Sequence, residues 1–228
     1  MAMNVSKIKQ ESNFVAQEPI DAGALPARVV QLITLGLQPQ KPYKGDPKPP
    51  VEELYITYEM ADEFMKDEEG NEIEDKPRWL SETITLRSLD SDLAKSTKRY
   101  YALDPKVEHG GDFSKLAGAP CVLAVIQNPS KKAGDDRIFN NIEGVTAMRE
   151  KDIAKAPELV NPPKVFDIDE PDMEVFTSLP EWLQNKIKEN LNYGGSALEK
   201  AVKNLGENVK GEAKAEPEAG SDEDEADW

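Results

Sequence analysis

The stretch "EELYITYEM" alternates with a period of two. Leu54, Ile56, Tyr58 and Met60 point one way, while Tyr55, Thr57 and Glu59 point the other. This predicts a strand with one face in a core. "RWLSETITLRS" repeats the pattern, setting Leu80, Ile84 and Leu86 against Trp79, Ser81, Thr83, Thr85 and Arg87. Upstream, "ARVVQLITLGLQ" is a long β-branched and aliphatic run with Gly36 inside it, which predicts a strand that bends sharply at the glycine. "APCVLAVIQNP" reads as a buried fourth strand and "NIEGVTAMRE" as a fifth.

Between the third and fourth strands the period changes. Leu89, Leu93, Thr97 and Tyr100 or Tyr101 recur at helical spacing, and Pro105 lies beyond the end. "ADEFMKDEEGNEIEDKP" reads as an acidic hairpin or loop. It is not a calcium loop, because Glu72 stands where the required aliphatic anchor belongs. After Lys151 the strand signals stop. A proline-punctuated connector leads to a short amphipathic helix, with Trp182, Leu183, Ile187 and Leu191 on one side and Gly194 ending it. "SALEKAVKNLG" follows, with Ser196 and Glu199 at capping-box spacing and Gly206 closing it.

Three strands, a helix and two strands form the order of an OB-fold barrel, whose first strand must bend to serve both sides. The expected fold is mainly β: a five-stranded OB-fold barrel with a helix between strands 3 and 4, C-terminal helices and a disordered acidic tail. The expected divisions are an N-terminal arm (1–26), the barrel (27–151), connector and helices (152–205), and the tail (206–228).

Charge sharpens this picture. The net charge is −16, and the last 23 residues hold nine carboxylates against two lysines. The rest of the chain is also acidic, so a nucleic-acid surface must be a local patch. One cysteine, Cys121, excludes a disulfide framework. Neither a signal pattern nor a membrane-length apolar run is seen, so a soluble intracellular protein without membrane contact is expected. A single histidine, His109, leaves no second histidine for acid–base chemistry. His109 and Cys121 are too few for a zinc site, and no phosphate-binding glycine loop is present. The expectation is a protein that is not an enzyme and needs no cofactor. A metal-dependent nuclease built from surface carboxylates ranks well below the binding readings.

OB-folds bind oligonucleotides on the strand 2–3 face and on the loops joining strands 1–2 and 4–5. Those places hold this chain's cations and rings together. The first loop carries Lys41, Tyr43, Lys44 and Lys48; the outward face offers Tyr55, Trp79 and Arg87; the second loop carries Lys131, Lys132, Arg137 and Phe139. Cations track phosphates and ring faces stack on unpaired bases, a combination suited to single strands. Tyr58 and Phe139 also have the character of core residues, and the tyrosines of "KSTKRYY" that of a helix packed on the barrel.

The chain closes on "SDEDEADW". With the strand order and the strands "ARVVQLITLGLQ" and "NIEGVTAM", this ending resembles the single-stranded DNA-binding proteins of bacteria. In length and layout it resembles more closely those of tailed-phage replisomes. The resemblance implies a non-enzymatic protein of phage replication and recombination, in the cytoplasm of the infected bacterium, coating single-stranded DNA and often dimeric. It implies a tail (Asp222, Glu223, Asp224, Glu225, Asp227 and Trp228) that docks replisome partners such as DNA polymerase and primase-helicase. The same tail would compete with DNA for the binding groove. That family usually ends in Phe, and this chain ends in Trp. The alternative is an acidic interaction protein that mimics DNA and inhibits a host DNA-binding factor.

Overall fold

A computed structural model describes residues 17–132 and 134–212, with side chains to Leu205. Six strands form one antiparallel, open sheet: β1 (Gly23–Gln38), β2 (Val51–Lys66), β3 (Glu72–Thr85), β4 (Pro120–Pro129), β5 (Ile138–Ala147) and β6 (Lys164–Phe166). The order is β3-β2-β1-β4-β5, with β6 also pairing β1. The edge strands β3 and β5 approach each other without a hydrogen-bonded ladder, so the sheet curves but does not close. The helices are α1 (Lys95–Leu103), α2 (Glu150–Ile153), α3 (Met173–Ser178), α4 (Glu181–Lys188) and α5 (Ala197–Glu212).

The chain forms two compact units. Among the described residues, the first comprises 17–33 with Glu52–Val165. Its core takes Ala27, Val29 and Leu32 from β1, and the whole inward set Leu54, Ile56, Tyr58 and Met60 from β2. Ile84, Leu123 and Val145 complete it, with Tyr100 of α1 at 0% exposure. The acidic segment is a hairpin: β2 runs to Lys66 and β3 starts at Glu72, around a turn where Asp67 accepts the Glu69 and Asn71 amides (2.9 and 2.8 Å). Residues 17–20 are fastened rather than free. Gln17 exchanges two hydrogen bonds with the Lys66 backbone, and Ile20 is buried while Asn140 binds its amide and carbonyl.

Helix α1 is held by charge as well as by packing. Glu82 shares the inward phase of Leu80 and Ile84, with its side chain 7% exposed. Arg99 of α1 grips it with Nε and Nη2 (2.7 and 3.1 Å), Lys95 adds a contact at 2.6 Å, and the Tyr58 hydroxyl donates at 3.1 Å. Burial opposes ionisation of Glu82, but the hydrogen bonds from Arg99 and Lys95 outweigh it and hold the carboxyl below its usual value. Nearby, burial pushes the Cys121 thiol up to about 12.

Among the described residues, the second unit comprises Thr34–Val51 and 166–212. Gly36 sits at φ 71°, and a Cβ there would lie 2.5 Å from the Asn190 side chain. Asn190 Oδ1 accepts from the Leu37 amide (2.9 Å), and the Leu191 amide donates to Leu37 O (2.9 Å). The bend thus needs glycine because the segment after α4 is stapled to it. Phe166, Phe176, Leu179, Leu183, Ile187 and Leu198 are buried.

Several expectations are corrected. The connector contains a strand, β6, that its prolines concealed, and β5 starts at Ile138, which places Phe139 in a strand rather than a loop. Helix α4 stops at Lys188, before Gly194. Trp182 and Leu191 are 56% and 54% exposed, so only Leu183 and Ile187 form its buried stripe. Helix α5 runs past Gly206 to Glu212. The tail residues Asp222, Glu223, Asp224, Glu225, Asp227 and Trp228 lie outside the described residues.

Candidate nucleic-acid interface

In the second unit, the loop between β1 and β2 carries Lys41, Tyr43, Lys44 and Lys48, all exposed. Tyr43 and Asp46 exchange backbone hydrogen bonds (2.9 and 3.0 Å) around Lys44 and Gly45, at φ 52° and 94°. Positive φ at both central positions makes a type I′ turn, and Lys44 adopts a conformation that few non-glycine residues do. The turn projects Tyr43, 58% exposed, with the Lys44 and Lys48 ammonium groups 5.4 and 5.0 Å from its ring centroid. Both cations lie within cation–π range of an open ring.

In the first unit, the β4–β5 hairpin repeats the motif. Phe139 is 46% exposed, paired in register with Asn128, and the Arg137 guanidinium lies 5.5 Å from its ring. Arg137 is also bidentate to Asp135 (2.8 and 2.7 Å), and the guanidinium holds that carboxyl well below the usual range. Much of the charge expected from Arg137 is therefore neutralised within the loop. Lys131 and Lys132 are exposed there, and Ser130 hydrogen-bonds Asp135 and the Lys132 amide.

The outward face of β2–β3 departs most from expectation. Tyr55 is half-buried, Trp79 is 39% exposed, and Arg87 is exposed just past the end of β3. Thr57 and Glu59, on the same face, are 1% and 3% exposed. Thr57 hydrogen-bonds Gln31 and Ser81 across three strands (3.1 and 3.0 Å). Glu59 accepts from the Trp79 indole N–H (3.0 Å), the Val160 amide (2.7 Å) and the Asn161 side-chain amide (2.7 Å). The connector thus reaches the face expected from the sequence to take bases, and the Trp79 indole N–H is held by a carboxylate.

Sequence reasoning missed Glu59 and the Glu82–Arg99–Lys95 cluster. A carboxylate at an inward position of β3, followed by the basic helix "KSTKR", was a legible sign of the second. Arg99 of that stretch is buried in the ion pair, so it offers no phosphate contact; Tyr100 is core and Tyr101 is 41% exposed. Among the described residues no group of three or more His, Cys, Asp or Glu is placed to hold a metal, and no helix is long and apolar enough to cross a membrane. Comparison with protein-family models, with characterised proteins and with solved structures finds no match for this chain.

Proposed function

We propose that this protein binds single-stranded DNA without catalysing a reaction, using a partly open OB-type barrel. The order β3-β2-β1-β4-β5, with β3 and β5 facing each other and α1 inserted between β3 and β4, supports the barrel reading. The observation that carries the function is the repeated pairing of an open ring with cations, Tyr43 with Lys44 and Lys48 in the β1–β2 loop, and Phe139 at the start of β5 with Arg137 of the adjoining loop. Trp79 adds a third open ring on the sheet. Ring faces accept any unpaired base while cations follow the phosphates. Within this reading the protein coats intermediates of phage replication and recombination in the host cytoplasm. The acidic tail ending in Trp228 docks replisome partners and competes with DNA for the cations.

The test is tryptophan and anisotropy titration with oligo-dT against duplex competitor. The expected result is a preference for single strands that weakens with salt, by about 0.7 in the log–log slope per phosphate contacted. Tyr43→Ala and Trp79→Ala should each cost about 1–3 kcal/mol of binding with the fold intact. Equal affinity for duplex, or none at low salt, overturns the reading. A second reading draws on the acidic β2–β3 hairpin, with Glu68, Glu69 and Glu72 exposed around its turn. A DNA mimic of that kind binds a basic DNA-binding protein and ignores oligo-dT.

A further inference from the structure

The connector between α2 and β6 is anchored by polar groups and little else. No residue from Ala154 to Pro163 is buried; Ala156, Leu159 and Asn161 are half-covered, and Val160 is 48% exposed. Two side chains on the outward sheet face hold it. Arg28 of β1 donates to Pro157 O (2.8 Å) and Ala156 O (3.4 Å) and meets Glu158 at 3.4 Å. Glu59 of β2 accepts from the Val160 amide and the Asn161 side chain. Pro157, Pro162 and Pro163 lack amide donors, so the segment has few means of joining a sheet ladder. An arginine and a carboxylate of the outward face are thus committed to a piece of the chain's own backbone. An extended segment with a solvated exterior and a few polar anchors opens at low cost.

We propose that residues 156–161 form a displaceable strap over the outward face of β1 and β2. It competes with single-stranded nucleic acid for that face and leaves when a strand binds. This inference rests on the binding reading above and adds its regulation. When the strap leaves, Nε and Nη2 of Arg28 become available to a phosphate, while Nη1 stays on Gly118 O (3.1 Å). Glu59 keeps the Trp79 indole N–H, so the ring remains oriented beside the newly opened surface. The strap therefore sets affinity from the closed side without touching the loop tips.

Two measurements test it. In the wild-type protein, hydrogen exchange of the Val160 amide is followed with and without saturating oligo-dT; the expected result is faster exchange in the complex. Second, Asn161→Ala and Val160→Pro each remove one donor to Glu59 from the strap side, leaving the sheet and the loops intact. Each should tighten oligo-dT binding by roughly ten- to hundredfold, the Boltzmann factor of about one hydrogen bond to a charged acceptor. Tight wild-type binding with unchanged or slower Val160 exchange, and unchanged or weaker affinity in both variants, overturns the strap and leaves the binding reading standing. Oligo-dT binding by the variants alone supports a strap that is closed in the wild type. No binding by wild type or variants overturns the binding reading and the strap together.

Discussion

Two buried glutamates on neighbouring strands meet opposite fates. Glu82 of β3 points inward and is met by two cations and a phenol, all from elements of the core. Glu59 of β2 points outward and is met by three neutral N–H groups, two of them from the connector. Desolvating a carboxylate is expensive, and each site offsets that cost differently. At Glu82 the compensation is charge, and removing one partner strands the other inside the protein. At Glu59 it is a set of three dipoles, of which the two from the connector return to water when the connector lifts. The inner site therefore secures the fold, whereas the outer one adjusts access to a surface.

The comparison breaks most readily at Glu82. Glu82→Ala leaves the Arg99 guanidinium, 5% exposed, without its partner. Losing one half of a buried pair costs about 3–5 kcal/mol. Urea unfolding followed by circular dichroism should register that loss, with α1 as the first element to loosen. A cost below about 1 kcal/mol would mean that the cluster behaves as a surface pair.

Acid sharpens the same site. The folded-state pKa of Glu82 lies below its ordinary 4.5. The pair then contributes its full stabilisation above that value and loses it as pH falls through the lowered folded value. Unfolding free energy measured from pH 7 downward should therefore fall below about pH 4.5 in the wild type, and Glu82→Gln should flatten that part of the curve. Parallel curves for the two proteins would assign the acid sensitivity to other carboxylates.

Glu59→Ala is the outer counterpart. Its three donors become solvated rather than stranded, so the expected stability cost is only about 1–2 kcal/mol. The visible change should be in Trp79, whose emission shifts to the red once its indole N–H loses its acceptor. If Glu59→Ala destabilises the fold as much as Glu82→Ala, the connector is an integral part of the core and the two sites are equivalent.

The inner half of this architecture was legible in the sequence, and the outer half was not. Alternation alone placed Leu54, Ile56, Tyr58 and Met60 in the core, because a half-buried strand repeats every two residues. Gly36 marked its bend for a local reason, although the staple that requires it, Asn190, lies 153 residues beyond Leu37. Glu82 interrupts the hydrophobic stripe of Leu80, Ile84 and Leu86, and its partner Arg99 comes from a helix 17 residues later, so alternation within the strand does not reveal the pair. The connector's contacts with Glu59 span 101 and 102 residues and leave no periodic trace, so nothing local announced that the predicted binding face was partly covered. Phe139 was misplaced for a related reason: pairing with β4 extends β5 back to Ile138, and that register is a property of two strands.

The smallest expected effect concerns a third carboxylate, which resembles Glu82 in being paired and Glu59 in lying beside a candidate binding surface. Asp135 holds Arg137 in a bidentate pair on an exposed loop, where such pairs add little to stability. Its consequence should appear in binding. With Asp135 in place, Arg137→Ala should change the salt slope for oligo-dT by less than the roughly 0.7 expected of a full phosphate contact. Lys132→Ala, on the same loop, should lose nearer the full amount. Asp135→Asn frees the guanidinium and should steepen the slope. If Arg137→Ala costs as much as Lys132→Ala, the guanidinium leaves Asp135 for a phosphate when DNA arrives. The loop would then act as the strap is proposed to act, with an internal acid giving up its cation to the nucleic acid.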